Sequence, residues 1–89
     1  PLSLGAPRPG EIVLDLGCGA GVDSILAAFR VGPTGRVVGV DATEEMVAKA
    51  RANAATMGIA NAEFHHGEAD RLPVAEETID LVISNGVFN

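Results

Sequence analysis

The chain has no tryptophan and no tyrosine, and its only aromatic residues are Phe29, Phe64 and Phe88. Any core must therefore be aliphatic, built from Val, Ile, Leu and Ala. There is one cysteine, Cys18. A single thiol closes no internal bridge, so a disulfide scaffold is excluded. Basic residues are scarce: 6 Lys and Arg stand against 12 Asp and Glu, a formal charge of −6. Sequence-independent nucleic-acid binding and recruitment to anionic membranes both rest on Lys and Arg. The acidic balance therefore argues for a small-molecule partner, with no nucleic acid and no membrane. No apolar run approaches the length of a membrane span. Pro1 to Gly10 carries no apolar signal segment. A soluble, cytoplasmic protein is the expectation.

What is present is a globular composition, 47% apolar, over 89 residues, enough for at most one small domain. The order of segments is informative. Pro1 to Gly10 reads as a lead-in loop. Glu11 to Leu16 is a nearly all-apolar strand, as expected where a parallel sheet is covered. Val22 to Val31 reads as a helix, with Ile25, Leu26 and Phe29 on one side. The cluster Gly32-Pro33-Thr34-Gly35 ends it. Arg36 to Val40 is a second strand running into Asp41. Thr43 suits a helix N-cap, with Glu44 and Glu45 in the first turn. That helix runs to about Met57, with Met46, Val47, Ala50 and Ala54 as its apolar stripe and Gly58 as its end. Ala62 to His66 is a third strand, Gly67 to Thr78 mostly loop, and Ile79 to Ser84 a fourth strand. The alternation predicts an α/β fold: an open parallel sheet with right-handed crossovers. A complete doubly wound sheet has more strands. Residues 1–89 are therefore read as the N-terminal half of a larger domain.

Four strand ends carry the chemistry. The first is Val13-Leu14-Asp15-Leu16-Gly17-Cys18-Gly19-Ala20-Gly21, a strand running into a bare backbone turn where open sheets bind nucleotide-like ligands. Gly17 permits a positive φ, and Gly19 and Gly21 leave room for a ligand. The spacing is G-x-G-x-G, with Val22 where a dinucleotide fingerprint has its third glycine. Asp15 would repel a pyrophosphate but pairs with an ammonium group. Asp41, 24 residues after Gly17, ends the second strand, where an acid accepts from ribose hydroxyls or else caps the next helix. Gly67-Glu68-Ala69 follows the third strand and offers a polar edge for adenine, or is an ordinary loop. Ser84-Asn85 follows the fourth strand and faces the glycine turn across the switch point, or is simply a turn-forming corner.

In this order the motifs resemble those of the class I S-adenosylmethionine-dependent methyltransferases, across Gly10 to Asn89. Val37-Val38-Gly39-Val40-Asp41 is similar to the family's second motif. Gly67-Glu68-Ala69-Asp70-Arg71-Leu72-Pro73-Val74 resembles its G-(D/E)-A-x-x-L-P loop. Within the family, Gly10-Glu11, Asp15-Leu16-Gly17, Gly19-Ala20-Gly21, Asp23-Ser24, Gly32-Pro33-Thr34-Gly35 and Ser84-Asn85 resemble the arsenite methyltransferases. Their ubiquinone- and menaquinone-type relatives share the likeness. Arsenite methyltransferases usually carry a cysteine just after the Ser-Asn pair, where this chain has Gly86, and use other cysteines in regions outside it.

The resemblance implies a Rossmann-like sheet of strand order 3-2-1-4 and S-adenosylmethionine as cofactor. It implies that Asp15, Gly17, Cys18, Gly19 and Gly21 hold the methionine part, with Asn85 closing that side. Asp41 would bind ribose, Ala42 and Met46 would flank the adenosine, and Gly67, Glu68 and Ala69 would meet adenine. Cys18 is read as a small turn residue, because no basic partner lies near it. The implied reaction is methyl transfer to a small molecule, arsenite-like or quinone-like. No catalytic base is assigned, and these 89 residues alone are expected to turn over weakly or not at all.

Two other functions compete: half of an NAD-type oxidoreductase domain, which the glycine spacing and Asp15 disfavour, and a non-catalytic cofactor-binding fragment. His65 and His66 are adjacent in a strand and point to opposite faces, so they do not chelate one metal together. Arg8, Arg30, Lys49 and Arg51 are read as solvated charges.

Overall fold

Aliphatic strands followed by helices with a single apolar face have one economical solution: a parallel sheet with the helices laid across it. The structure, a computed structural model, describes residues 6–67 and 74–84. The elements are β1 (Ile12–Leu16), α1 (Val22–Val31), β2 (Arg36–Asp41), α2 (Glu44–Thr56), β3 (Ala62–His66), a 3₁₀ turn (Glu76–Thr78) and β4 (Leu81–Ser84). The sheet order is β3-β2-β1-β4, and every pairing is parallel. The expected order is therefore found, with β4 placed on the opposite side of β1 from β2.

Alternation along the strands divides the core in two. Val13, Val37 and Phe64 face the helices and are packed under Ala27, Ala28 and Val31 of α1 and Val47, Ala50 and Ala54 of α2. Leu14, Val38 and Val40 face the other side, against Leu16, Val74 and Ile79. Burying an aliphatic side chain of this size contributes about 1.5–3 kcal/mol. Small residues let the layers close. A side chain at Gly39 would come within 2.7 Å of Phe64 Cδ1 and 3.1 Å of Cys18 Sγ, so the bare position in β2 is where Phe64 and Cys18 meet.

The first helix differs from the pattern read in the sequence. Its buried face is Ser24, Ile25, Ala27, Ala28 and Val31. Leu26 and Phe29 are 55% and 59% exposed, so of the three residues read as one side only Ile25 enters the core. The helix lies close enough to the sheet that alanines occupy the contact, and the larger residues are left outside. In α2 the stripe Val47, Ala50 and Ala54 is buried, with Met46 half-buried. It ends as expected: Gly58 N–H donates to Ala55 C=O and Ile59 N–H to Ala54 C=O, a Schellman closure.

Other boundaries shift for identifiable reasons. β4 begins two residues later than Ile79, because Asp80 is used as a clasp: its N–H donates to Ile12 C=O (2.8 Å), and its Oδ2 accepts from Ile12 N–H (2.8 Å). Thr43 holds the N-cap position but makes no side-chain cap bond. Arg51 is not merely solvated. Its Nε and a terminal guanidinium nitrogen donate to Phe64 C=O at 3.2 and 2.7 Å, covering a carbonyl on the outer edge of β3. Among the described residues, no helix is long and apolar enough to cross a membrane.

Candidate cofactor site

The carboxyl ends of β1, β2, β3 and β4 lie side by side, which brings the sequence motifs into contact. Gly17 N–H and Cys18 N–H both donate to Val40 C=O (2.8 and 3.1 Å). Gly19 N–H donates to Asp41 Oδ2 (2.9 Å). The glycine turn and the acid of β2 are thus joined directly. Gly67 N–H donates to Asp41 C=O (3.0 Å), so the end of β3 belongs to the same group. Leu16 is paired with Ser84, which sets the end of β4 beside the turn. Glu68, Ala69, Asn85 and Gly86 lie outside the described residues.

Asp41 is held on both oxygens. Besides Gly19, Thr43 N–H donates to Oδ1 at 2.9 Å. Thr43's own N–H is thereby satisfied while its side-chain cap bond stays unmade, and the carboxylate is tied to the turn that follows β2. A carboxylate has about four lone-pair sites, so each oxygen can still accept a further bond. Ala42 is exposed just beyond Asp41, and Met46 is half-buried in the first turn of α2.

The glycines of the turn have different jobs. Gly17, Gly19 and Gly21 all have positive φ, at 69°, 56° and 89°. At Gly19 a side chain would meet nothing within 4 Å, whereas at Gly21 it would stand 2.9 Å from Ala50 Cβ and 3.2 Å from Phe64 Cε1. The room expected at Gly21 is filled by α2, and that glycine serves packing. Gly21→Ala is therefore expected to cost about 2–4 kcal/mol, from backbone strain plus overpacking. Gly19→Ala should cost about 1–2 kcal/mol, from strain alone. Denaturant midpoints of the two variants check the order, and equal midpoints would contradict it.

Asp15 is the unusual group. It is completely buried. Ser24 Oγ donates to its Oδ2 at 2.5 Å, while Oδ1 has no hydrogen-bond partner and is the only such buried side-chain atom among the described residues. Burial pushes the carboxyl up to about 6, against a downward pull from the Ser24 bond, and the neighbouring charges of Asp23 and Asp41 raise it further. Burial, with help from Asp15 and Asp41, also pushes the Cys18 thiol up to about 12. Cys18 is therefore a protonated thiol and not a nucleophile at neutral pH.

Three residues important to this region were not assigned roles from the sequence. Ser24 was visible as part of a motif, but its bond to Asp15 needs the helix turn between them. Asn53 Nδ2 donates from α2 to Ala20 C=O (3.0 Å), which ties the glycine turn down. His66 Nε2 lies 3.0 Å from Ala42 C=O. Nothing local in the sequence marks the last two. His65 bonds instead to Glu63 Oε2 (2.7 Å), so the two histidines do part to opposite faces.

Residues 7–89 match the family described as "Methyltransferase domain". The chain belongs to the S-adenosylmethionine-dependent methyltransferases. It is 55% identical over its whole length to an arsenite methyltransferase of Halobacterium salinarum, of which it covers 23%. The crystal structure of CrArsM, an arsenic (III) S-adenosylmethionine methyltransferase from Chlamydomonas reinhardtii, superposes with a TM-score of 0.82 at 36% identity. The match covers 98% of this chain and 32% of that one. A 23S rRNA (uracil(1939)-C(5))-methyltransferase, RlmD, of a Shewanella species (strain ANA-3) is 48% identical over 63 residues, covering 71% of this chain and 13% of the relative. The chain thus spans about a quarter of the length of its arsenite methyltransferase relative. The class I, Rossmann-like fold read from the motifs is the fold found.

The family's cofactor is S-adenosylmethionine, and the residues present fit it. Asp15, Asp23 and Asp41 gather negative charge around a turn whose helix N-terminus would otherwise favour an anion. A ligand with an ammonium and a sulfonium suits that field, and a pyrophosphate does not.

Proposed function

We propose that this chain is the cofactor-binding part of a methyltransferase acting on a small molecule in the cytoplasm, with a trivalent arsenic species as the acceptor class. The observation that carries the cofactor half of this reading is Asp15: fully buried, one oxygen unpaired, at the base of a glycine turn. A buried carboxylate lacking a partner is costly unless a positive ligand completes it. Asp15, with Gly17, Cys18 and Gly19 as backbone, would complement the amino-acid end. Asp41 would accept from the ribose hydroxyls, Ala42 and Met46 would border the adenosine, and Gly67, Glu68 and Ala69 would meet adenine. Asn85 would close the amino-acid side.

When bound, S-adenosylmethionine supplies an electrophilic methyl group, so the protein's part is orientation and exclusion of water. A soft acceptor with a free lone pair needs no proton removed. The arsenic reading is supported by the arsenite methyltransferase relatives. Cys18 is too deeply buried to supply a thiolate, and Gly86 stands where a ligand cysteine is usual. The thiols for arsenic would therefore come from elsewhere in the protein or from solution. The charge of −6 weighs against an RNA substrate of the kind named for RlmD, since phosphate contacts need cations.

Competitive titration tests the cofactor assignment. S-adenosylhomocysteine should bind with 1:1 stoichiometry and not be displaced by NAD. Displacement by NAD at comparable concentration would favour the oxidoreductase reading instead.

A further inference from the structure

The end of β3 grips the turn that follows β2. Gly67 N–H holds the Asp41 carbonyl and His66 Nε2 holds the Ala42 carbonyl, both at 3.0 Å. A carbonyl only accepts, so Nε2 carries the proton. Asp41 and His66 are register partners in the β2–β3 ladder, and their side chains therefore leave the sheet on the same face. The other ring nitrogen, Nδ1, is 3.9 Å from Glu44 Oε1 at the start of α2, beyond hydrogen-bond distance. The bond to Ala42 is thus the imidazole's one close polar contact among the described residues. It is spent on a single exposed turn that starts at Asp41 and ends at Thr43, whose N–H the Asp41 carboxylate accepts.

We infer that His66 is a positioning residue for the ribose site. By fixing the Ala42 carbonyl it fixes the direction in which the Asp41 carboxylate presents its free lone pairs. This rests on Asp41 being the ribose partner. The imidazole is half exposed, so its bond contributes little to folding. Its loss restores freedom to the turn, and that freedom must be given up again each time a ligand binds. The effect belongs in affinity, at about three- to tenfold, equivalent to one modest hydrogen bond.

Three substitutions, His66→Ala, His66→Gln and His66→Asn, separate positioning from bulk structure. The amide of Gln reaches the place of Nε2, and that of Asn reaches only the place of Nδ1. Each is titrated calorimetrically with S-adenosylhomocysteine and with its analogue lacking both ribose hydroxyls. Expected is a three- to tenfold loss for the Ala and Asn variants with S-adenosylhomocysteine, little loss with the analogue, and near wild-type affinity for the Gln variant. Unchanged affinity in His66→Ala overturns the inference, as does an equal loss for both ligands or failure of Gln to rescue. If the unmodified chain binds no S-adenosylhomocysteine, the ribose reading falls and the inference with it. If Asp41→Ala loses ribose discrimination while His66→Ala does not, only the inference falls.

Discussion

Asp41→Ala is expected to lower affinity for S-adenosylhomocysteine by about two to four orders of magnitude. Two hydroxyl donors to one carboxylate contribute about 1.5–3 kcal/mol each, and their joint loss corresponds to a factor in that range. The substitution also frees Gly19 N–H and Thr43 N–H, which now share that carboxylate. Both lie where water can reach them, so the cost to folding should stay near 1–2 kcal/mol. The two effects are separable. Calorimetry reads the affinity and a denaturant curve reads the fold. A variant that unfolds little more easily but binds far more weakly is the expected result. Unchanged affinity would remove Asp41 from the ribose site.

Asp15→Asn should move stability and affinity in opposite directions. The Asp15 carboxyl stands at about 6 in the folded chain against an ordinary 3.8. Between those values the native state keeps a proton that the unfolded state has lost. Stability is therefore full below about 3.8 and falls as the pH rises through about 6, by roughly 3 kcal/mol in all. Asparagine removes this slope. It keeps the Ser24 bond but leaves its own amide without a partner, which takes back part of the gain. At pH 7 the ligand-free variant should be about 1–2 kcal/mol more stable. Its affinity for S-adenosylhomocysteine should be about tenfold to a hundredfold weaker, because the charge facing the ammonium is gone. In the unmodified chain that affinity should rise as the pH passes upward through about 6, and in the variant it should not. A variant less stable at pH 7 with unaltered affinity would contradict both halves.

The sheet could be read from the sequence because its signals are local. Apolar runs, glycine-rich turns and polar residues at the strand ends repeat at spacings that only a βα alternation accommodates. Of the candidate site, the glycine turn, Asp41 and Gly67 are brought together as the strand-end motifs suggest, since each sits at the end of one strand. What escaped notice depends on contacts between elements. Leu26 and Phe29 carry the right periodicity for a core, yet the close approach of α1 to the sheet gives the inside to Ala27 and Ala28. Gly21 reads as room for a ligand until Ala50, 29 positions later, is seen against it. Thr43 has the right chemistry for a cap, yet its side chain makes no cap bond and its own N–H is held by Asp41 instead. Asn53, Ser24 and His66 are ordinary residues in sequence and acquire a purpose only when their partners are known.

Amide chemical-shift mapping of the chain during titration with S-adenosylhomocysteine tests the central claim most directly. The account predicts saturable shifts confined to the carboxyl ends of the strands, at Gly17 to Gly21, Asp41 to Met46 and Gly67, with the opposite end of the sheet unmoved. A folded sample showing no shifts, or shifts centred away from Gly19 and Asp41, would contradict it.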